Sequence, residues 1–301
     1  HNSPTIAQVH FENLLLVSET PISLGRGYYW LGLAHQAQGN TEPALRSFRL
    51  GSEYQIAFYG LLSAEKISAE MPQEPAADQS QMDWRNAEFR QSPVFQAAIL
   101  LYAAGQPILA ERFATHLAET LPEDQLPQLV DFLEEIKQPR ALVRLGKRKA
   151  SQGYVYPRPL FALHPLSQKT YPVATELMLA IARRETEFKV GAISPAGARG
   201  LMQVMPDTAR AMAKKLGKGY SPERLTEDWD YNAALAGQYL ADLSQRFEGN
   251  LVLVAAAYNA GPNRVDSWIK SLGDPRAPGI DIVEWIEMIP YRETRNYVMR
   301  V

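Results

Sequence analysis

Apolar residues recur at helical spacing along most of the chain. The pattern is clearest between positions 177 and 188, where Leu177, Ile181 and Phe188 fall on one face of an α-helix. Glu185 lies on the same face, at a position where the pattern predicts an apolar residue. Period-two runs of β-branched and aromatic residues, which indicate strands, are missing from the sequence. The predicted fold class is therefore all-α.

A carboxylate on the buried face of a helix has a raised pKa, because removal from water disfavours its charged form. A raised pKa suits a general acid, so Glu185 is the first candidate for a catalytic residue. Glu187 lies about 200° further round the same helix and four residues after Arg183. It is predicted to be a solvated residue paired with that arginine. The alternative for Glu185 is that it is a surface charge of the same kind.

Residues 28–67 have the pattern of short helices in a helical repeat. Trp30 and Gly32, followed by Ala44 and Phe48, have the spacing at which one helix-turn-helix unit packs on the next. A single unit is visible, and a stable solenoid needs at least about three. An ordinary pair of amphipathic helices is therefore an equal alternative.

Two segments poor in helical pattern divide the chain. Met71–Met82 is rich in Pro, Gln and acidic residues, and Gly153–Pro172 contains four prolines, so both are predicted to be connectors. Between them the pattern predicts four short helices without a catalytic grouping: Pro93–Ala104, Ile108–Thr120, Gln125–Ile136 and Pro139–Ser151. The segments predicted as domains are 1–71, 83–152 and 157–301.

The segment after Phe188 is predicted to be a tight loop, because Gly197 and Gly200 allow backbone conformations that other residues avoid. Such a loop can present backbone groups to a ligand, although no phosphate-loop signature follows. Three helices are predicted after it: from Pro206 to a stop at Gly217, over Asp230–Phe247, and over Asn250–Tyr258 with Asn259-Ala260-Gly261 as its end.

The composition narrows the possible chemistry. At 301 residues, 46% hydrophobic and 21% charged, the chain is an ordinary globular protein long enough for two domains. A net charge of −2 gives no reason to expect nucleic acid or an anionic membrane as a partner. The lack of cysteine excludes thiolate catalysis and cysteine-ligated zinc, and the five histidines have no metal-binding spacing. No apolar run approaches the roughly 20 residues of a membrane helix, so no membrane span is expected. Neither a metal nor an organic cofactor is expected.

Four separated blocks together resemble the soluble lytic murein transglycosylases: RRETEF around Glu185, SPAGARGLMQVMP from Ser194, AAAYNAGPNRV from Ala255 and EMIPYRETRNYV from Glu287. Their order and spacing make the resemblance more specific than any one block. It implies a lysozyme-like α domain over 157–301, which is the catalytic domain. It also implies the end of a helical superhelical (TPR-like) domain at 1–71 and a helical linker domain at 83–152.

The resemblance implies cleavage of the β-1,4 bond between N-acetylmuramic acid and N-acetylglucosamine in peptidoglycan, without water and with a 1,6-anhydro end as product. Glu185 matches the single catalytic acid of the family, which serves as acid and then as base. Substrate-contacting positions are implied for Ser194, Gln203, Met205, Tyr258, Asn259 and Glu287. Thr186 stands where the family usually has Ser, which preserves a hydroxyl.

The expected partners are peptidoglycan glycan strands and other cell-wall enzymes. The expected location is the periplasm, with any signal peptide absent from this sequence, which begins at His1 and is expected to be a fragment clipped at both ends. Two alternatives remain open: a hydrolytic muramidase on the same fold, and a helical scaffold whose lysozyme-like domain binds glycan without cleaving it.

Overall fold

The computed structural model describes residues 3–69, 83–151 and 155–301. The predicted all-α class is confirmed, since the described residues form helices and no β-strand. Extended pairing within them is limited to two isolated bridges, Ile193 with Arg199 and Arg199 with Val204. The predicted connector Met71–Met82 lies outside the described residues.

The helices divide between two compact units. One unit lies within His1–Phe132 and Leu145–Phe161, and the other within Leu133–Arg144 and Ala162–Val301. The first unit contains seven helices: α1 (Pro4–Val17), α2 (Pro21–Ala37), α3 (Thr41–Ser52), α4 (Phe58–Lys66), α5 (Pro93–Ala103), α6 (Pro107–Thr120) and α9 (Pro157–Leu160), counted among the described residues. Two helices are divided between the units: α7 (Leu126–Glu135) and α8 (Pro139–Ser151). The three-domain division predicted from the sequence stays a prediction.

In the first unit, close contact between α2 and α3 follows from the small residue at Gly32. A Cβ at that position would lie 2.5 Å from the ring of Phe48, so the ring occupies space that a larger residue would fill. Phe48 also packs near Tyr29, with ring centroids 6.1 Å apart. The structure thus packs Gly32 against Phe48, as either a helical repeat or an ordinary helix pair would, and the repeat itself stays a prediction.

The second unit contains eight helices among the residues that the structure describes: α10 (Thr175–Thr186), α11 (Pro206–Lys215), α12 (Arg224–Glu227), α13 (Trp229–Arg246), α14 (Leu251–Ala260), α15 (Pro262–Leu272), α16 (Ile282–Met288) and α17 (Arg292–Val298). The predictions for α11, α13 and α14 are correct to within two residues at each end. Gly217, predicted to stop α11, has a φ of +63°, which a glycine adopts without strain.

Helix α14 lies at the centre of this unit. Its residues Leu253 to Ala257 are all buried, as expected of a helix that is apolar all round. Helix α17 packs against it and buries Thr294, Tyr297 and Val298. The unit therefore places the end of α14, which carries the predicted site residues Tyr258 and Asn259, beside α17.

Candidate active site

Glu185 lies in the last turn of α10 and is half-buried. Ile181 and Ala182, one turn earlier, are fully buried, so the predicted apolar face is confirmed for the end of the helix. The helix stops at Thr186 because Glu187 takes a left-handed conformation with a φ of +51°. The prediction of a helical position for Glu187 is therefore wrong, although its carboxylate does lie near a cation, 3.9 Å from Arg144.

The carboxylate of Glu185 is held by a tyrosine from the far end of the unit. The Tyr297 hydroxyl donates to Glu185 Oε1 at 2.7 Å. Burial raises the pKa of Glu185, and the charge of Glu293 acts in the same direction, while the Tyr297 hydrogen bond and the charge of Arg184 act against them. The net direction is upward, as predicted from the helical pattern, so the carboxyl group keeps its proton to higher pH than an exposed glutamate, as a general acid requires.

Tyr258 is the second phenol beside this carboxylate. Burial raises its pKa well above the ordinary value, and the charge of Glu185 adds to the effect. Its hydroxyl donates to the Met202 carbonyl at 2.6 Å and not to Glu185. The interactions of the two tyrosines differ accordingly: Tyr297 holds the acid, whereas Tyr258 connects α14 to the loop that follows Phe188.

That loop, residues 191–204, is fixed by hydrogen bonds with side chains of α10, α13 and α14. Asn232 is fully buried in α13, accepts from the Met202 backbone N–H at 2.9 Å and donates to the Arg199 carbonyl at 2.9 Å. Thr186 Oγ1 donates to the Leu201 carbonyl at 2.7 Å, so the hydroxyl noted in the sequence joins the end of α10 to the loop. These bonds hold the loop rigidly beside the catalytic candidate.

Gln203 stabilises the loop from within. Its backbone has a φ of +49°, and its amide nitrogen donates to the carbonyls of Ala192 and Gly200 at 3.2 and 2.9 Å. The amide nitrogen is thus occupied by the loop. The side chain nevertheless borders an open cavity.

The cavity has a volume of about 280 Å³ and is bounded by α11, α13, α14 and the loop. Four of the predicted substrate-contacting residues line it: Gln203, Met205, Tyr258 and Asn259. The other lining residues are Val204, Thr208, Tyr239, Ala260 and Gly261. Glu185 is absent from the lining, and Tyr258 is the residue that belongs to both the cavity wall and the surroundings of the acid.

Two of the predicted substrate-contacting residues do not line this cavity. Ser194 closes a turn of the loop, with its Oγ accepting from the Ala198 N–H at 3.0 Å. Glu287 lies near the end of α16, where Arg295 donates to its carbonyl at 2.8 Å and approaches its carboxylate at 3.4 Å. Their contacts in this structure are internal, and a role in substrate binding stays a prediction for both.

Sequence reasoning missed several residues that complete the site. Tyr297 and Glu293 both act on Glu185, and they lie four positions apart on α17, a spacing that places them on one helical face. Thr294, also on α17, donates to Asn259 Oδ1 at 2.7 Å. The i, i+4 spacing within ETRNYV was the available signal for the first pair. No pattern indicated the role of Asn232, since a buried polar residue in a helix is visible only once its partners are known.

Among the described residues, no group of three or more His, Asp or Glu side chains is arranged to hold a metal ion. None of the described helices is both long and apolar enough to cross a membrane.

Comparison with known proteins finds a family model and several relatives that resemble this chain. Residues 166–277 match the family model of the transglycosylase SLT domain. The soluble lytic murein transglycosylase of Escherichia coli K12 is 41% identical over 124 residues, which are 41% of this chain and 19% of that protein. The matched segment therefore spans about a fifth of that relative's length.

Two solved structures cover more of the chain. The lytic transglycosylase Slt of Pseudomonas aeruginosa, solved as an inactive Glu-to-Gln mutant, has a TM-score of 0.74 and 25% identity, and covers 99% of this chain and 47% of its own. The 70 kDa soluble lytic transglycosylase of Escherichia coli has a TM-score of 0.73 and 26% identity, covering 92% and 44%. The predicted fold class, helical segments followed by a lysozyme-like α domain, is confirmed by these likenesses.

Proposed function

We propose that this chain, whose residues 166–277 are a transglycosylase SLT domain, carries the catalytic part of a lytic transglycosylase that cleaves peptidoglycan glycan strands. The observation that carries the proposal is the half-buried Glu185 carboxyl group, whose pKa burial raises and whose Oε1 accepts from Tyr297 at 2.7 Å. The solved Pseudomonas aeruginosa relative is inactive with one glutamate changed to glutamine. A single essential glutamate in that protein supports a single catalytic acid here.

The reaction begins with proton transfer from Glu185 to the glycosidic oxygen. The bond between C1 of N-acetylmuramic acid and that oxygen breaks, and the N-acetylglucosamine unit leaves with the proton as a hydroxyl group. The Glu185 carboxylate then takes the proton from the C6 hydroxyl of the same muramic acid, while O6 bonds to C1. No water is consumed, and the product end is a 1,6-anhydro sugar.

The surroundings of Glu185 suit both steps. Burial and the nearby charge of Glu293 favour the protonated form that the first step needs. The hydrogen bond from Tyr297 and the positive charge of Arg184 favour the carboxylate that forms next. Because these groups act on the pKa of Glu185 in opposite directions, both of its protonation states can form during a turnover.

A second carboxylate close to Glu185, that of Glu293, favours the alternative of hydrolysis. Retaining and inverting glycosidases use two carboxylates, one of which activates water or attacks the sugar. Glu293 is exposed on α17 and close enough for its charge to raise the pKa of Glu185. In the transglycosylase reaction it acts through charge alone, so Glu293→Gln should weaken activity without abolishing it.

Mass spectrometry of the fragments released from purified murein sacculi separates the two reactions, because anhydro ends are lighter than reducing ends by one water. Glu185→Gln should release no fragments while keeping the fold. Glu187→Gln is the matched control, since its carboxylate lies just two residues away but faces Arg144, and it should remain active. Turnover by Glu185→Gln would contradict the assignment, and reducing ends alone would favour the muramidase.

Peptidoglycan as substrate places the activity in the periplasm or outside the cell. Release of fragments also excludes the glycan-binding scaffold, which would bind sacculi and release nothing. Contact with other cell-wall enzymes stays a prediction from the family resemblance.

A further inference from the structure

An exposed aromatic ring lies close to the cavity but outside its lining. Tyr291, at the start of α17, leaves 48% of its surface exposed. Trp268 of α15 is buried and meets the Tyr291 ring edge-on, with centroids 5.6 Å apart and planes at 84°. This contact fixes the plane of the exposed ring, so little conformational entropy would be lost when a ligand packs on it.

Arg264 connects this ring to the cavity wall. Its guanidinium carbon lies 5.4 Å from the centre of the Tyr291 ring, and its Nη1 donates to the carbonyl of Ala260 at 3.1 Å. Ala260 lines the cavity, as does Asn259, which accepts from Thr294 in the first turn of α17. Tyr291 and Arg264 therefore form a shelf at the rim of the cavity, and we call this pair the rim shelf.

A second arginine–tyrosine pair in the same unit shows what distinguishes the rim shelf. Arg210 lies 5.0 Å from the centre of the Tyr220 ring, but its charge is compensated by Asp207 at 2.8 Å. Among the salt bridges of the described residues, none involves Arg264. The rim shelf thus combines a ring that is 48% exposed with guanidinium donors that have no acidic partner among the described residues.

We propose that the rim shelf is a further saccharide subsite, which binds a pyranose ring of the glycan strand outside the cavity. The apolar C–H face of a pyranose packs on a flat aromatic ring by dispersion and burial of apolar area. The free guanidinium N–H groups of Arg264 donate to sugar hydroxyls or to an N-acetyl carbonyl. The inference rests on the proposed function for its substrate class.

The test measures binding without turnover, on a Glu185→Gln background, by calorimetry with long peptide-free glycan strands and with a disaccharide. Tyr291→Leu removes the flat ring and should weaken strand binding about tenfold, the effect of losing one aromatic contact of about 1.4 kcal/mol. Disaccharide binding should not change. Tyr291→Phe, which keeps the ring, and Tyr220→Leu, the matched control, should both bind strands as the parent does.

Arg264→Gln is a second test that does not depend on the folding of Tyr291→Leu, because Arg264 is exposed. It should weaken strand binding by about threefold. Unchanged strand affinity in folded Tyr291→Leu or in Arg264→Gln would overturn the subsite, as would an equal loss in Tyr220→Leu. Cleavage by the wild-type chain is measured separately. Strand binding that depends on Tyr291 in a chain that does not cleave would refute the proposed function and leave the subsite standing.

Discussion

Removal of the Tyr297 hydroxyl tests the most specific contact in the site. The phenol donates to Glu185 Oε1 at 2.7 Å and thereby lowers the pKa of that carboxyl against the upward effect of burial. In Tyr297→Phe the ring still fills its buried position, and the donor alone is lost. The pKa of Glu185 should therefore rise further, because the charged form loses its partner while the protonated form keeps its environment.

The magnitude follows from the kind of hydrogen bond. A bond to a charged group contributes about 1.5–3 kcal/mol, and its loss in the variant falls mainly on the carboxylate form of Glu185, so the pKa of Glu185 rises. In the proposed mechanism Glu185 must be protonated to begin the reaction, so activity falls as pH rises through its pKa. The alkaline limb of the pH profile should therefore move to higher pH in the variant.

Two measurements check this result. Carboxyl-carbon NMR of protein labelled at glutamate follows the titration of Glu185 directly, and fragment release from sacculi gives the activity limb. Tyr258→Phe is the matched control, because its hydroxyl donates to the Met202 carbonyl and its loss should move the Glu185 titration clearly less. A Glu185 titration that stays in place or moves to lower pH in Tyr297→Phe would refute the reasoning.

Three further changes test the packing that supports the site. Burial lowers the pKa of His164 from 6.5 to about 4, so the stability linked to its neutral form is complete above about pH 6.5 and is lost towards pH 4, by up to about 3 kcal/mol. Chemical denaturation across that window should show this loss in the wild type and not in His164→Asn, and parallel curves would count against it. Gly200→Ala brings Cβ to 1.8 Å from a backbone carbonyl at a φ of +77° and should cost more than about 3 kcal/mol. Gly197→Ala, whose Cβ would meet no atom within 4 Å beyond its chain neighbours, should cost about 1 kcal/mol, so equal melting temperatures for the two variants would contradict the packing. Asn232→Leu should cost about 3 kcal/mol in denaturant and lower the rate of fragment release, because it leaves the backbone groups of the loop unpaired; a stable, fully active variant would exclude that role.

Helical periodicity was sufficient to single out Glu185 as the candidate acid. Ile181 and Phe188 predicted the buried face, and both are buried in the structure. The error at Glu187 arose because periodicity continues through a stretch whose backbone leaves the helix, and left-handed conformations at Glu187 and Phe188 have no sequence signal when the residues are not glycine. Patterns of side chains thus predicted which face is buried better than where the helix ends.

The partners of the acid could not be predicted in the same way. Tyr297 lies 112 positions from Glu185 in sequence, and their contact depends on how α17 packs against α14. Asn232 acts through three backbone groups of the loop and its neighbours, which no residue pattern encodes. The family resemblance supplied Tyr258, Asn259 and Gln203 as residues near one another, and the shared cavity lining agrees with that grouping.

In the proposed reaction one carboxyl group serves twice, and the surroundings of Glu185 suit both roles. An acid that is simply buried would hold its proton too tightly to act as a carboxylate, and one that is simply paired with cations would already be ionised. At Glu185, burial and Glu293 raise the pKa while Tyr297 and Arg184 lower it. The last two contacts strengthen when the proton leaves, because both favour negative charge. These two contacts therefore offset the free-energy cost of ionising a half-buried carboxyl group. The carboxylate can then persist until it accepts the second proton.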